Sequence, residues 1–329
     1  MPNAPRRAKE SASRRTWLYG ILFGLAALVH VPFGLRADLP VESEGLRSLF
    51  SQFQADRGLY FKSLVEILVI RADATYPAEY QSVVGTPVGA EVEYWADGER
   101  YHYRSHVEGN SLTCYNGAVA FDGDHFQILF DDAKVLSVSS TDKAGVLGVL
   151  PNPILQLVQF RYPVDDRNDP VFVRLKDIRA DQVGESFWNV TWTDFIPPPN
   201  APNRALKRAQ FPGGVFEGED YVQYVYVPAG SSHQLARIEW VTTTGRMFAS
   251  VEFGDYLTSG TGVDQTCWPH SVVMTGYESD GTPALEMRYT LTDLFVNTEI
   301  PVEMFRIVPP EGAKVWDDDA QAFVASQCP

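Results

Sequence analysis

The sequence is short of cysteine, short of basic residues relative to acids, and empty of the motifs that mark common enzyme chemistries. No Gly-x-Ser-x-Gly elbow, Walker loop, dinucleotide fingerprint or His-Glu-x-x-His pair occurs in its 329 residues, so neither catalysis nor a cofactor has residue-level support. The reading is of a non-enzymatic protein without a catalytic residue, metal ligand or cofactor. Three cysteines, Cys114, Cys267 and Cys328, permit at most one disulfide, and their pairing stays open. None follows the leader closely, so a lipid-modified N-terminal cysteine is absent.

Basic residues are scarce beyond the N-terminus. Residues 1–16 hold Arg6, Arg7, Lys9, Arg14 and Arg15 against Glu10, Trp17 to Val31 is apolar, and Leu35-Arg36-Ala37 offers a small residue at a cleavage position. That is the layout of a secretory leader over residues 1–37. Ser13-Arg14-Arg15-Thr16-Trp17-Leu18 approximates a twin-arginine signal, leaving the export route open between the two bacterial systems. An uncleaved anchor is the alternative, which would tether an otherwise periplasmic protein to the membrane. Removing residues 1–37 takes six basic and one acidic residue from totals of 27 and 42, leaving 21 and 41 and a formal charge of −20. Such a surface repels nucleic acid and anionic headgroups, so any lipid contact has to be apolar.

Long hydrophobic helices are also lacking after the leader. Leu46, Leu49, Phe50 and Phe53 fall at i, i+3, i+4 and i+7, predicting an amphipathic helix over 41–56. Val146 to Tyr162 is the one strongly apolar stretch that does not read as strand. Asn152 as cap and Pro153 at the first position predict a helix over 153–162 whose polar stripe, Asn152, Gln156 and Gln159, is narrow. Periodicity does not separate a plain core helix from a lid over a ligand.

Strands are abundant. Leu59 to Ala72 is apolar on both alternating faces, which predicts a strand covered on both sides. Asp97-Gly98, Asn116-Gly117, Asp122-Gly123, Thr244-Gly245 and Asp280-Gly281 then punctuate runs of about a dozen antiparallel strands. Tyr101 and Tyr103 alternate with Arg100, His102 and Arg104. Val222, Tyr224 and Tyr226 share a face, and Ala236, Ile238 and Trp240 oppose Arg237 and Glu239. One face is apolar and aromatic, the other charged. The expected fold is mainly β: an incomplete antiparallel β-barrel with helices covering its concave face, built as a single domain over 38–329.

The longest break, 196–214, is Pro-rich and locally basic through Arg204, Lys207 and Arg208, and is predicted to be a surface insertion. His102 and His106 would sit roughly 13 Å apart on a strand, too far to share a metal, and read as solvated face. Asp317-Asp318-Asp319 lacks the spacing of a calcium loop.

Two end segments carry a family resemblance. Leu49-Phe50-Ser51-Gln52-Phe53 in a helix before a long first strand, and Phe305-Arg306-Ile307-Val308-Pro309-Pro310-Glu311-Gly312-Ala313-Lys314-Val315 followed by Asp317-Asp318, resemble the opening and closing of the outer-membrane lipoprotein-sorting family, the LolA/LolB-like periplasmic carriers. The resemblance implies a half-barrel that is lidded by helices and receives lipoprotein acyl chains or other lipid, working as a monomer. Phe50, Phe53, Ile154, Leu157 and Val158 would be lid residues, and Tyr101, Tyr103, Tyr224, Tyr226, Ile238 and Trp240 the lining. A signalling or scaffold module that uses the same fold to bind a membrane or receptor protein is the alternative, favoured by the basic insertion.

Overall fold

The computed structural model describes residues 58–74, 76–98, 100–140, 150, 160–163, 170–173, 192–196, 205–216, 218–229, 234–259 and 266–324. These residues are chiefly strand. In chain order they form β1 (Gly58–Val69), β2 (Val88–Asp97), β3 (Arg100–Val107), β4 (Gly117–Phe121), β5 (Phe126–Phe130), β6 (Val135–Ser139), β7 (Phe160–Pro163), β8 (Pro170–Val173) and β9 (Thr193–Phe195). After these come β10 (Leu206–Phe216), β11 (Glu219–Pro228), β12 (Arg237–Thr242), β13 (Met247–Ser259), β14 (Thr266–Tyr277), β15 (Pro283–Thr298), β16 (Lys314–Asp317) and β17 (Ala322–Val324). Fifteen of them make one open sheet in the order β17-β16-β6-β5-β4-β3-β2-β1-β15-β14-β13-β12-β11-β10-β9, while β7 and β8 pair as a separate hairpin. Within the large sheet β16 and β6 run parallel; the other neighbours are antiparallel.

Turn chemistry fixes this order for most of the hairpins. At Asp280-Gly281, Gly281 takes φ 80°, its N–H donates to Glu278, and the Asp280 carboxylate accepts from Thr282, a conformation that glycine adopts at least cost. Asn116-Gly117 is the exception among the expected turns. Gly117 opens β4, and the Asn116 amide oxygen instead accepts from Val107 N–H at 2.6 Å, closing a longer link between β3 and β4.

Side chains alternate along the strands, with the phase changing at a few bulges, which gives the sheet an inner and an outer face. On the inner face one row crosses six strands: Val225 opposite Ile238, then Val251, Met274, Met287 and Ile67. All six are buried in a single core cluster that also takes side chains from β2 to β5. Each such side chain contributes roughly 1.5–3 kcal/mol by leaving water. The second face of β1 differs from expectation. Leu64 is 50% exposed and Ile70, just past the strand's end, 40%, so β1 is apolar on both faces but covered on one, the usual state of an antiparallel sheet.

Helical cover differs as well. The only helical elements among the described residues are one α-turn at Ala78–Gln81 and 3-10 turns at Thr113–Tyr115 and Val302–Phe305, and none is a layer over the inner face. The helix expected over 41–56, and residues 153–159 of the one expected over 153–162, lie outside the described residues. Phe160 to Tyr162, expected to end the second of them, are strand β7, where Phe160 and Tyr162 pair with Val173 and Val171. The Pro-rich break is likewise shorter than expected: from Leu206 onward it is β10, paired with both β9 and β11.

After β15 the chain crosses the outer face as a strap. Phe305 is fully buried with the Arg100 guanidinium 5.0 Å from its ring centre. The Ile307 N–H donates to Gln127 Oε1 at 3.0 Å, and Ile307 packs with Ala118, Ala120, Leu129 and Leu136 in a second, smaller core. The strap then turns at Pro310-Glu311-Gly312, where Ala313 N–H donates to Pro310, and enters the sheet beside β6.

His102 belongs to this junction and not to the solvated face where the sequence put it. Its Nδ1–H donates to the Met304 carbonyl at 2.7 Å, its ring lies 5.1 Å from Trp95, and Nε2 is buried without a hydrogen-bond partner among the described residues. Burial lowers its pKa from the ordinary 6.5, with Arg104 adding to the effect and the Met304 bond opposing it. The folded state therefore binds fewer protons than the unfolded one. The stability this site gives is complete above pH 6.5 and is lost as pH falls through the lowered folded value. Denaturation titrations of the wild type should show an acid limb beginning near pH 6.5 that is flatter in His102→Gln. Identical limbs would remove His102 from the account.

Candidate inner-face binding site

Aromatic side chains concentrate on the inner face where β1, β2 and β3 meet. Phe61 pairs with Tyr94 and Tyr94 with Tyr103; the first two rings are 5.2 Å apart. Tyr101 lies next along β3 on the same face, opposite Ala96. Towards the other side of the sheet, Trp240 opposes Ala249 and Ile238 opposes Val251, small beside large, so the indole fills the space the alanine leaves. Trp268 on β14 is fully buried in the same cluster.

One residue from outside the strands docks here. Leu150 is 1% exposed. Its carbonyl accepts from the Tyr103 hydroxyl at 2.6 Å and its N–H donates to Ser105 Oγ at 3.1 Å, while the Ser105 hydroxyl donates to the Tyr115 carbonyl. Two side chains of β3 thus satisfy the whole backbone of one residue inside an apolar face, which is the condition for burying it. Leu150 falls within the apolar 146–162 stretch that the sequence singles out.

Of the residues expected to line the site, Tyr101, Tyr103, Ile238 and Trp240 share the inner face. Tyr224 and Tyr226 do not. On β11 the inward side chains are Tyr221, Gln223, Val225 and Val227, and the two tyrosines point outward with Glu239 and Arg237 of β12. The alternation places them on one face, as read; the error lay in taking aromatic for inward. Their work is on the outer surface. Arg208 stacks 4.6 Å from the Tyr224 ring centre and 5.4 Å from Phe195, while the Tyr226 hydroxyl donates to Glu239. Burial, with Glu239 next, raises the Tyr226 pKa, so the hydroxyl stays a donor. Phe50, Phe53, Ile154, Leu157 and Val158 lie outside the described residues.

Sequence reading missed Phe61, Tyr94, Trp268, Met287 and Tyr289 as inner-face residues. The signal was present for β1 and β15, whose odd-numbered positions 61, 65, 67, 287 and 289 are apolar or aromatic. Among the described residues no three His, Cys, Asp or Glu side chains are grouped to hold a metal, and Cys114 and Cys267 are free thiols. Burial, followed by Glu79, pushes the Cys114 thiol up to about 12, a poor state for a nucleophile.

No protein-family model and no curated protein matches the sequence. Solved structures do match. A LolA superfamily protein from Nitrosomonas europaea is 8% identical, with 82% of this chain and 99% of that one covered at a TM-score of 0.40. An outer membrane lipoprotein-sorting protein domain from Vibrio parahaemolyticus is 9% identical, covering 80% and 95% at 0.42. A DUF1329 family protein from Desulfovibrio piger is also 9% identical, covering 82% and 98% at 0.42.

Proposed function

We propose that this protein is an exported, non-enzymatic carrier that binds acyl chains of lipoprotein or lipid against the inner face of its sheet. One observation carries the reading. Leu150, which belongs to no strand, is buried against the apolar face and held there by Tyr103 and Ser105, and among the described residues no helical layer lies over that face. A filler of that kind can exchange for a ligand of the same polarity. Each acyl methylene buried contributes about 0.8 kcal/mol, so a chain of ordinary length outweighs the two hydrogen bonds that hold Leu150. The basic N-terminus and apolar run of residues 1–31 support a periplasmic site of action, and the family resemblance of the two end segments agrees with it.

The scaffold alternative loses its particular support. Of the insertion's three basic residues Arg204 lies outside the described residues, while Lys207 and Arg208 belong to strand β10 and Arg208 is engaged with Phe195 and Tyr224, so these two are not tips of a free basic loop.

Native mass spectrometry of protein taken from the periplasm should show co-purifying lipid or acylated peptide. A fluorescent fatty-acid probe should bind, and Trp240→Glu should weaken that binding at least tenfold if the variant folds. An apo spectrum together with no probe binding rejects the carrier reading.

A further inference from the structure

Beside the aromatic row runs a polar one. Ser63 on β1 is fully buried on the inner face between Phe61 and Val65, and its hydroxyl has no hydrogen-bond partner among the described residues. A buried hydroxyl left unpaired is costly and rare in native proteins. Its cross-strand neighbours are Val92 on β2 and Leu291 on β15, neither of which can hydrogen-bond through its side chain. His270 lies on β14 immediately before Ser271, which pairs with Thr290, the neighbour of Leu291. It stands two positions from both Trp268 and Val272 of the inner core, and although the residue is half-buried its Nδ1 is buried without a partner among the described residues. Two unanswered polar groups thus stand on β1 and β14, the strands that flank β15.

The backbone is irregular at the same place. The register between β1 and β15 shifts between Lys62 and Ser63, where Thr292 is extruded and its hydroxyl donates to the Lys62 carbonyl. Bulges of this kind re-aim side chains and occur next to functional sites more often than elsewhere. Ser105, the corresponding polar residue further along the row on β3, shows what such a hydroxyl does when supplied with a partner: it holds the Leu150 backbone.

We infer that Ser63 is the donor for the carbonyl of an acyl ligand, with His270 completing the polar end of the same site, so that the protein selects ester- or amide-linked acyl chains over plain hydrocarbon. This rests on the carrier reading and adds to it the linkage recognised. The Ser63 hydroxyl supplies its one proton to the carbonyl oxygen; the alkyl chain continues along the aromatic row of Phe61, Tyr94 and Tyr103.

A matched pair of ligands tests it: 1-monopalmitoylglycerol, which has the ester carbonyl, and 1-O-hexadecylglycerol, which has the same headgroup and chain length joined by an ether. Each is titrated against a bound fluorescent fatty-acid probe with wild type, Ser63→Ala and His270→Phe. The wild type should bind the ester about tenfold more tightly than the ether, and a variant should lose about that factor for the ester alone. Ser63→Ala removes an unpaired group, so its melting temperature should not fall, which keeps the measurement free of a folding defect. Equal binding of ester and ether by the wild type, or variants that change both ligands alike or neither, overturns the inference while leaving the carrier reading intact. Failure of both ligands and of the probe to bind the wild type rejects the carrier reading itself.

Discussion

Ile67→Lys should yield no folded protein, whereas Leu64→Lys, three residues earlier on the same strand, should melt within a few degrees of wild type. The two side chains point to opposite faces of β1. Ile67 is fully buried between Val88 and Met287, with apolar neighbours on both flanking strands and no carboxylate to receive an ammonium. Lysine there loses the roughly 1.5–3 kcal/mol of isoleucine burial and adds several more for an unpaired charge, or for the neutral amine that replaces it. Against a total stability of about 5–15 kcal/mol for a typical domain, that is enough to abolish folding. Leu64 is half exposed and opposes Glu91, which already pairs with Lys62 at 2.7 Å, so a lysine in its place is solvated and meets a favourable neighbour. Far-ultraviolet circular dichroism and thermal melts of the two variants decide the matter. Equal loss in both would mean that the outer face of β1 is covered and that the one-sided sheet is wrong.

Sequence alone reached the strands where alternation and turns reinforced one another. Phe126–Phe130 and Val135–Ser139 follow the expected turn at Asp122-Gly123, which fixes where the first begins, and both strands are short. It failed where polarity and face disagree. Tyr224 and Tyr226 are aromatic but outward, since Arg208 and Glu239 give their rings and hydroxyl partners at the surface, and nothing in the local pattern of β11 distinguishes that from an inward row. β10 was hidden by its prolines and glycines: Pro212, Gly213 and Gly214 look like a loop, yet they form the bulge where the β10–β11 register shifts before Val215. The strap was invisible for a different reason. Phe305 and Ile307 are buried by long-range packing against β3 to β5, and His102 is buried by a backbone carbonyl 202 positions away, contacts that no window of sequence can register.

Phe305→Ala should cost about 3–5 kcal/mol, the usual range for emptying a buried phenylalanine site, and its effect should spread along the strap before it reaches the main sheet. The ring is the anchor of the C-terminal crossing: it is fully buried and covered by the Arg100 guanidinium, which Asp97 holds in place at 2.7 Å. The rest of the strap is held more loosely. Arg306 reaches Asp122 at 3.4 Å and is largely exposed, Val308 is 83% exposed, and β16 is four residues long. The strap therefore behaves as a unit that opens at less than the global free energy once its anchor is gone. Hydrogen exchange should register this as faster exchange at Ile307, Lys314 and Asp318, whose N–H groups bond to Gln127, Lys134 and Val138. The amide of Val251, in the inner core, should exchange only through global unfolding. Val308→Ala serves as the control and should change neither melting temperature nor exchange. Should Phe305→Ala accelerate Val251 as much as Lys314, the strap is not a separable element, and the inner face depends on it for its closure.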